Sequence, residues 1–373
     1  MSKGRRAAAI LACLVVLVPL GLVVERYVRG ALFLARFTTP AGEYATGRQE
    51  PLEETEIEIA QSPEPIRARL YRIAGSGPRP GVVVAHGVHY QGIDEGRLVP
   101  FARALARSGF VVLTPQLREL TEYRVSVHDI AVIDSAVAYL AGRHDVVSAA
   151  RVGLIGFSFA GGLGLIAATH PQSEQHLKYV TSVGGHYDLL QVMQFLITGQ
   201  VETPEGSRSA TPHEYGLVIL AYQYLDHLAP KADLETLSAA FKAWLHEDRD
   251  SARRHAQQLQ TEEGRHLFNL LENQHLAELS GALLAILAEH GAELAELSPK
   301  DRLKSLHIPV YLLHGASDSV IPPSQTAWAT RELDAAGVPH LSLISPLIEH
   351  VEVEKKADIM GKLRLVRFMA QLF

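Results

Sequence analysis

Ser158 is placed where a serine can serve as a nucleophile. It lies inside Arg151-Val-Gly-Leu-Ile-Gly-Phe-Ser-Phe-Ala-Gly-Gly162. Val152 to Ile155 is a short apolar run that reads as a buried strand, and Leu163 to Ala168 opens a helical pattern, so Ser158 occupies the turn between them. A serine on so sharp a strand-to-helix turn sits in strained backbone with its hydroxyl exposed. The residues two positions to either side must then be small, or their Cβ atoms collide. Gly156 and Ala160 meet that need, the alanine standing where the G-x-S-x-G pattern has its second glycine. A serine hydroxyl is a weak nucleophile at neutral pH and needs an adjacent base, which in turn needs an orienting group. An ordinary βα turn with a chance serine has the same local pattern, so other motifs must decide.

The elements that would position such a serine follow from the periodicities. Glu56 to Ala60 and Ile66 to Ile73 alternate apolar and polar residues, as half-buried antiparallel strands do. Pro80-Gly-Val-Val-Val-Ala85 reads as a fully buried strand ending in His86-Gly87, and helix Asp94–Ser108, strand Phe110–Thr114 and helix Val127–Gly142 follow. The serine's own strand and then Tyr179–Val183 continue the alternation, which implies a parallel sheet covered on both faces. From His186 to about Pro299 the strand rhythm stops, and helices are expected near 189–197, 213–228, 232–245, 251–269 and 272–297. Strand Ile308–Leu313, helix Ser324–Ala336, strand His340–Ile344 and a last helix, from about Glu352 to Leu372, complete the pattern. The helical block is expected to cap the carboxyl ends of the strands, where ligands bind in such sheets. The domain reading is 1–37 for an anchor and interfacial segment, 38–185 and 301–373 for the two parts of an α/β core, and 186–300 for the cap.

Composition limits the function classes. The 373 residues carry a net charge of −6 with no basic cluster, which argues against nucleic acid. Cys13 is the only cysteine, so no internal disulfide and no cysteine-based zinc site can form. The seven histidines between His213 and His290 show no ligand pairing of the H-E-x-x-H kind, and nothing in the pattern calls for a metal or cofactor. At the N-terminus, Lys3, Arg5 and Arg6 precede the charge-free run Ala7–Val24, which is close to the length needed to cross a bilayer and has no convincing cleavage site after it. The expectation is an uncleaved single-pass transmembrane anchor with the main domain outside the cytoplasm, and a short interfacial segment from Gly30 to Phe37.

Four motifs in fixed order bring the pieces together: Val83-Val-Ala-His-Gly87, Gly156-Phe-Ser-Phe-Ala-Gly161, Leu313-His-Gly-Ala-Ser-Asp318-Ser-Val-Ile-Pro322 and Ile348-Glu-His350. With these, the sequence resembles the α/β-hydrolases, and within them the dienelactone-hydrolase and prolyl-oligopeptidase-like esterases. The likeness spans roughly 55–185 and 300–373. It implies a doubly wound, mostly parallel sheet and a triad in the order serine, acid, histidine. Carried onto this chain, the nucleophile is Ser158, the acid Asp318 and the general base His350. Asp188, after the strand that follows the elbow, is the rival acid, and is expected instead to cap the first insertion helix. The resemblance also implies an oxyanion hole made from the backbone N–H groups of Phe159 and Val88, with Gly87 allowing close approach and His86 holding the loop. His89 and Tyr90 would line the pocket mouth.

The function that follows is a membrane-anchored serine hydrolase cleaving a carboxylic ester, lipid-like or a thioester, through an acyl-enzyme. The alternatives are acyl transfer or peptide hydrolysis on the same fold, and a catalytically silent binding module.

Overall fold

The computed structural model describes residues 21, 23–37, 51–349, 352–353 and 359–373. The apolar run is almost entirely outside these, as is His350. Among the described residues no helix is long and apolar enough to cross a membrane.

Eight strands form the main sheet: β1 Leu52–Ile59, β2 Ile66–Ile73, β3 Gly81–Ala85, β4 Val111–Pro115, β5 Val152–Phe157, β6 Leu177–Val183, and, after a separate hairpin of β7 Gln200–Thr203 and β8 Gly206–Ser209, β9 Val310–Gly315 and β10 His340–Ser345. Their order is β1-β2-β4-β3-β5-β6-β9-β10. The first two pairings across the sheet are antiparallel and the rest parallel. Strand chemistry explains the placement. The Gly81-Val-Val-Val-Ala85 run of β3 is buried at every residue, as a central parallel strand must be. By contrast, β1 exposes Glu53 to Glu56 and lies at the edge. The chain passes from β3 to β4 on one side and then returns to place β5 on the other, so strand order reverses between β3 and β5. The crevice at their carboxyl ends is where this class of sheet binds ligands.

One face of the sheet is covered by helices Val127–Ala141, Phe159–Thr169 and Ser324–Ala336, which join it in a continuous apolar core. The other face carries helix Leu98–Arg107, the C-terminal helix Ile359–Met369 and the N-terminal helix 23–37. The segment expected at a membrane interface is therefore largely packed into the fold. Phe33 is fully buried, edge-on to Phe101 at 5.3 Å, and Gly30 lies so close to the C-terminal helix that a Cβ there would stand 2.9 Å from the Ala370 amide nitrogen. Arg36 fastens the helix end by donating to the Arg107 carbonyl at 2.9 Å.

The insertion is helical, as its periodicity implies, but more broken. The hairpin β7–β8 interrupts it, and the single helices expected over 213–228, 251–269 and 272–297 are each divided. Capping supplies the reason at one break: Asp233 accepts from the amides of Gln260 and Thr261, and the Thr261 hydroxyl accepts from the Gly264 amide, so a new helix starts at Glu262. The insertion has its own apolar cluster around Phe241, Leu267 and Leu271, and Tyr123 of the core enters it fully buried, donating to the Leu245 carbonyl at 3.2 Å. The C-terminal helix also begins later than expected. Glu352–Val353 is strand β12, pairing antiparallel with β11 Ile348–Glu349, and the helix is described over Ile359–Met369. The helix over 94–108 likewise reduces to a 3₁₀ turn, Gly92–Asp94, and helix Leu98–Arg107.

Candidate active site

Ser158 terminates β5 and precedes helix Phe159–Thr169, with φ 54° and ψ −131°. A left-handed φ is strained for a side-chain-bearing residue, costing about 1–3 kcal/mol, and it persists only where the surroundings enforce it. Here they do. The Ser158 amide donates to the Val183 carbonyl at 2.8 Å, and the Gly161 amide donates to the Ser158 carbonyl at 2.8 Å. Gly156 is obligatory, since a Cβ there would lie 2.3 Å from the Ala160 carbonyl oxygen, which is backbone and cannot yield cheaply. The elbow read from the sequence is thus present in both backbone and packing.

Opposite the serine runs the loop after β3. A Cβ on Gly87 would stand 3.1 Å from Ser158 Cβ, so glycine sets how closely this loop approaches. His86, 2% exposed, holds the loop: Nδ1–H donates to the Gly87 carbonyl at 2.8 Å and Nε2 accepts from the Leu117 amide at 2.9 Å. Burial pulls its pKa down to about 4, so the ring stays neutral and keeps both bonds at physiological pH. Among the described residues neither the Val88 nor the Phe159 amide has a hydrogen-bond partner. Phe159 is also the first residue of an eleven-residue helix, whose dipole favours negative charge at that end.

Asp318 follows β9, two strands from β5 at the same edge of the sheet, a lateral offset of roughly 10 Å from two inter-strand spacings. It is 6% exposed, and its Oδ1 accepts from the amides of Val320 and Ile321 at 2.9 and 3.0 Å. His314 secures this loop in a way the motif alone does not reveal. Its Nε2–H donates to the Ile321 carbonyl and its Nδ1 accepts from the Thr326 hydroxyl, both at 2.8 Å, with Asp318 Oδ2 3.6 Å from Nε2. His350 lies outside the described residues, one position past β11. Asp188 caps helix Leu189–Thr198 through the Gln191 amide and pairs with Lys300 at 2.9 Å. Both carboxylate oxygens are thereby engaged in structure.

A cavity of about 50 Å³ opens beside Ser158, between the His86-Gly87 loop and Leu98, Phe101, Phe157 and Phe37. His89, Glu95 and Arg97 complete its lining; Tyr90 does not line it, but stacks on His89 at 4.7 Å and lies tilted against His246 at 4.3 Å. Next to it, a chamber of about 30 Å³ runs along the sheet face, bounded by Leu34, Thr181, Leu313 and Phe368. Phe37, Phe101 and Phe157 border both spaces, Phe101 standing edge-on to Phe157 at 4.9 Å and to Phe37 at 5.3 Å. The chamber is apolar except for Thr181, whose hydroxyl is buried without a hydrogen-bond partner among the described residues. Sequence reasoning did not find Phe37 or Phe101. Nothing in the local pattern of either marks a pocket wall, and they meet Phe157 only once two helices dock on one face of the sheet.

No protein-family model matches the chain, and no curated protein matches it. Solved structures do. An acylaminoacyl peptidase from Pyrococcus horikoshii aligns at 13% identity with a TM-score of 0.50, covering 86% of this chain and 41% of that one. A Bacteroides ovatus protein assigned as a dipeptidyl aminopeptidase IV aligns at 13% identity with a TM-score of 0.52, covering 89% and 37%. An esterase from Pyrobaculum calidifontis aligns at 15% identity and a TM-score of 0.47, covering 93% and 90%. The chain spans about 40% of the length of the acylaminoacyl peptidases it matches. At these identities the two likenesses with TM-scores of 0.50 and 0.52 establish the fold alone, the α/β-hydrolase fold.

Proposed function

We propose that this α/β-hydrolase chain is a serine hydrolase, anchored to a membrane by its N-terminal apolar run, that cleaves a carboxylic ester with an apolar acyl group. The observation that carries the reading is Ser158, held at a left-handed φ of 54° at the mouth of an apolar cavity. Other non-glycine residues, among them Glu247 and Asp301, also have a positive φ, but Ser158 combines it with a ψ of −131°, a strand-to-helix turn and a cavity beside it, as a nucleophile elbow does.

In this reading His350 takes the proton from Ser158 as the hydroxyl attacks the ester carbonyl, and the imidazolium then gives that proton to the leaving oxygen, so that the alcohol departs, the acyl-enzyme forms and the histidine is neutral again. Asp318, fixed by the Val320 and Ile321 amides, orients the imidazole and stabilises its cationic form. The amides of Val88 and Phe159 hold the developing oxyanion, each such donor being worth about 2.7–4 kcal/mol in kcat. Water, activated by the same histidine, then releases the acid and restores the serine. The chamber behind the cavity, apolar but for Thr181, favours an apolar acyl group over a charged one, because a charged chain would be desolvated there without a partner. This chemistry requires no metal or cofactor.

The test is labelling by a fluorophosphonate probe together with turnover of p-nitrophenyl esters by the wild type and Ser158→Ala. Labelling of the wild type alone, with kcat falling by roughly 10⁵–10⁶-fold in the variant, is expected for loss of a triad nucleophile. A folded wild type that neither labels nor turns over any ester would leave a binding module in its place. Product formed on added alcohol or amine in preference to acid would make it an acyltransferase.

A further inference from the structure

The outer side of the two helices behind the active site differs from the rest of the surface. Of the eleven large hydrophobic side chains exposed among the described residues, eight lie on these helices: Val23, Val24, Tyr27, Val28 and Leu32 on one, and Ile359, Met360 and Leu363 on the other. Val24, Val28 and Leu32 on the first helix, whose residues 23–29 are all exposed, and Ile359 and Leu363 on the second fall at i, i+4 spacing and form an outward stripe on each, while Phe33, Leu34, Leu365 and Phe368 face inward. The helices run side by side in the same direction, since Gly30 abuts Val366 and Ala370 and Phe33 lies beside Phe373 at 6.5 Å. The two stripes therefore lie near each other at the helix starts. Cations border them: Arg26 on the first helix, where Arg29 is paired with Glu25 at 2.7 Å, and Lys362, Arg364 and Arg367 on the second, all exposed. From residue 359 to the C-terminus there is no carboxylate side chain, although the whole chain has a net charge of −6.

We propose that the exposed face of the C-terminal helix, led by Ile359, Met360 and Leu363, is a docking surface for an anionic lipid bilayer, lying beside the N-terminal helix. Apolar side chains ringed by Lys and Arg are what an interfacial helix needs: the former enter the headgroup boundary, and each cation near an anionic surface adds about 1 kcal/mol. Charge selects this occupant over a second copy of the chain. A two-fold contact through this face would set its cations against the same cations of the partner, a repulsive arrangement. The N-terminal helix beside this face continues directly from the charge-free run Ala7–Val24, whose bearing on docking rests on the anchor proposed above. Docking this way would set the chamber lined by Leu34 and Phe37 directly behind the lipid-facing helices, so that an acyl chain need travel little to reach Ser158.

The test uses the full chain with Cys13→Ser, reconstituted into vesicles, with one environment-sensitive fluorophore on Leu363→Cys or, as a remote control, on Glu235→Cys in the insertion. In vesicles of phosphatidylcholine with phosphatidylglycerol, the label at 363 should shift to the blue and be quenched by nitroxide-bearing lipids several-fold more than at 235. High salt should reduce the effect, because it screens the cationic part. Water-like emission at 363 in these vesicles would overturn the proposal. A shift without lipid, accompanied by dimer in sedimentation, would overturn it in favour of self-association. If Leu363→Cys disturbs folding by circular dichroism, Met360→Cys carries the same test. The readout does not depend on ester turnover, so failure of the hydrolase reading leaves it intact. Extraction by alkaline carbonate reports separately on the N-terminal anchor.

Discussion

Replacing Phe33 by alanine tests whether the N-terminal helix belongs to the folded core. Phe33 is fully buried, 5.3 Å from Phe101 edge-on, 6.3 Å from Phe37 and 6.5 Å from Phe373. Truncating a buried phenylalanine to alanine removes its transfer energy and leaves a cavity, costing about 3–5 kcal/mol. At about 2–4 °C per kcal/mol for a domain of some 150–250 residues, that is a drop in Tm of roughly 6–20 °C, with the lower part expected for this longer chain. Leu32, the next residue, is 48% exposed, and Leu32→Ala should change stability by no more than about 0.5 kcal/mol. The assay is thermal unfolding in one mild detergent at one scan rate, followed by near-ultraviolet circular dichroism. If Phe33→Ala melts with the wild type while Leu32→Ala does not, the helix is not seated on the sheet. The chamber wall attributed to Phe37 then goes with it.

Other outcomes follow from the same contacts. Phe37→Ala removes one of the three rings between the cavity and the chamber, so kcat/KM for p-nitrophenyl laurate relative to the acetate should rise by about tenfold, the worth of one or two methylenes of added apolar contact; an unchanged ratio refutes the chamber as the acyl site. Stability should fall on acidification between about pH 6.5 and 4, because buried His86 and His186 both have pKa values lowered to about 4 by desolvation and stay neutral when folded, while the unfolded chain takes up two protons. Asp129, its carboxyl raised to about 7 by desolvation, works in the opposite direction, binding a proton in the folded state that the unfolded chain has released. The net uptake on unfolding is then one proton, a slope of about 1.4 kcal/mol per pH unit, and Asp129→Asn should steepen it toward twice that; denaturant titrations across this range that give a flat or inverted slope would exclude these assignments.

The nucleophile and its turn were legible because they are local. The small residues at 156 and 160 are dictated by the geometry of one sharp bend, and a bend of a few residues leaves its mark in consecutive positions. The buried strands were legible for a similar reason: Gly81-Val-Val-Val-Ala85 has no polar face to show to solvent, so no other placement suits it. The capping role of Asp188 could also be read, since a helix start constrains the next three residues. The insertion was read too simply. A helical period persists across Gln257–Thr261, but Asp233, more than twenty residues earlier, supplies the bonds that end one helix and begin another.

What the sequence alone determined is therefore the alternation of strand and helix, the elbow at Ser158 and the order of the motifs around it. Only the tertiary structure decided that residues 30–37 turn one face into the core, that His314 clasps the Asp318 loop, and that Phe37, Phe101 and Phe157 enclose a space beside the serine. The physical reason is distance along the chain. Hydrogen bonds within a turn and the period of an element are short-range and recur in the local pattern. A pocket wall, by contrast, forms where apolar faces from remote segments meet to exclude water, and no one segment carries the record of that meeting.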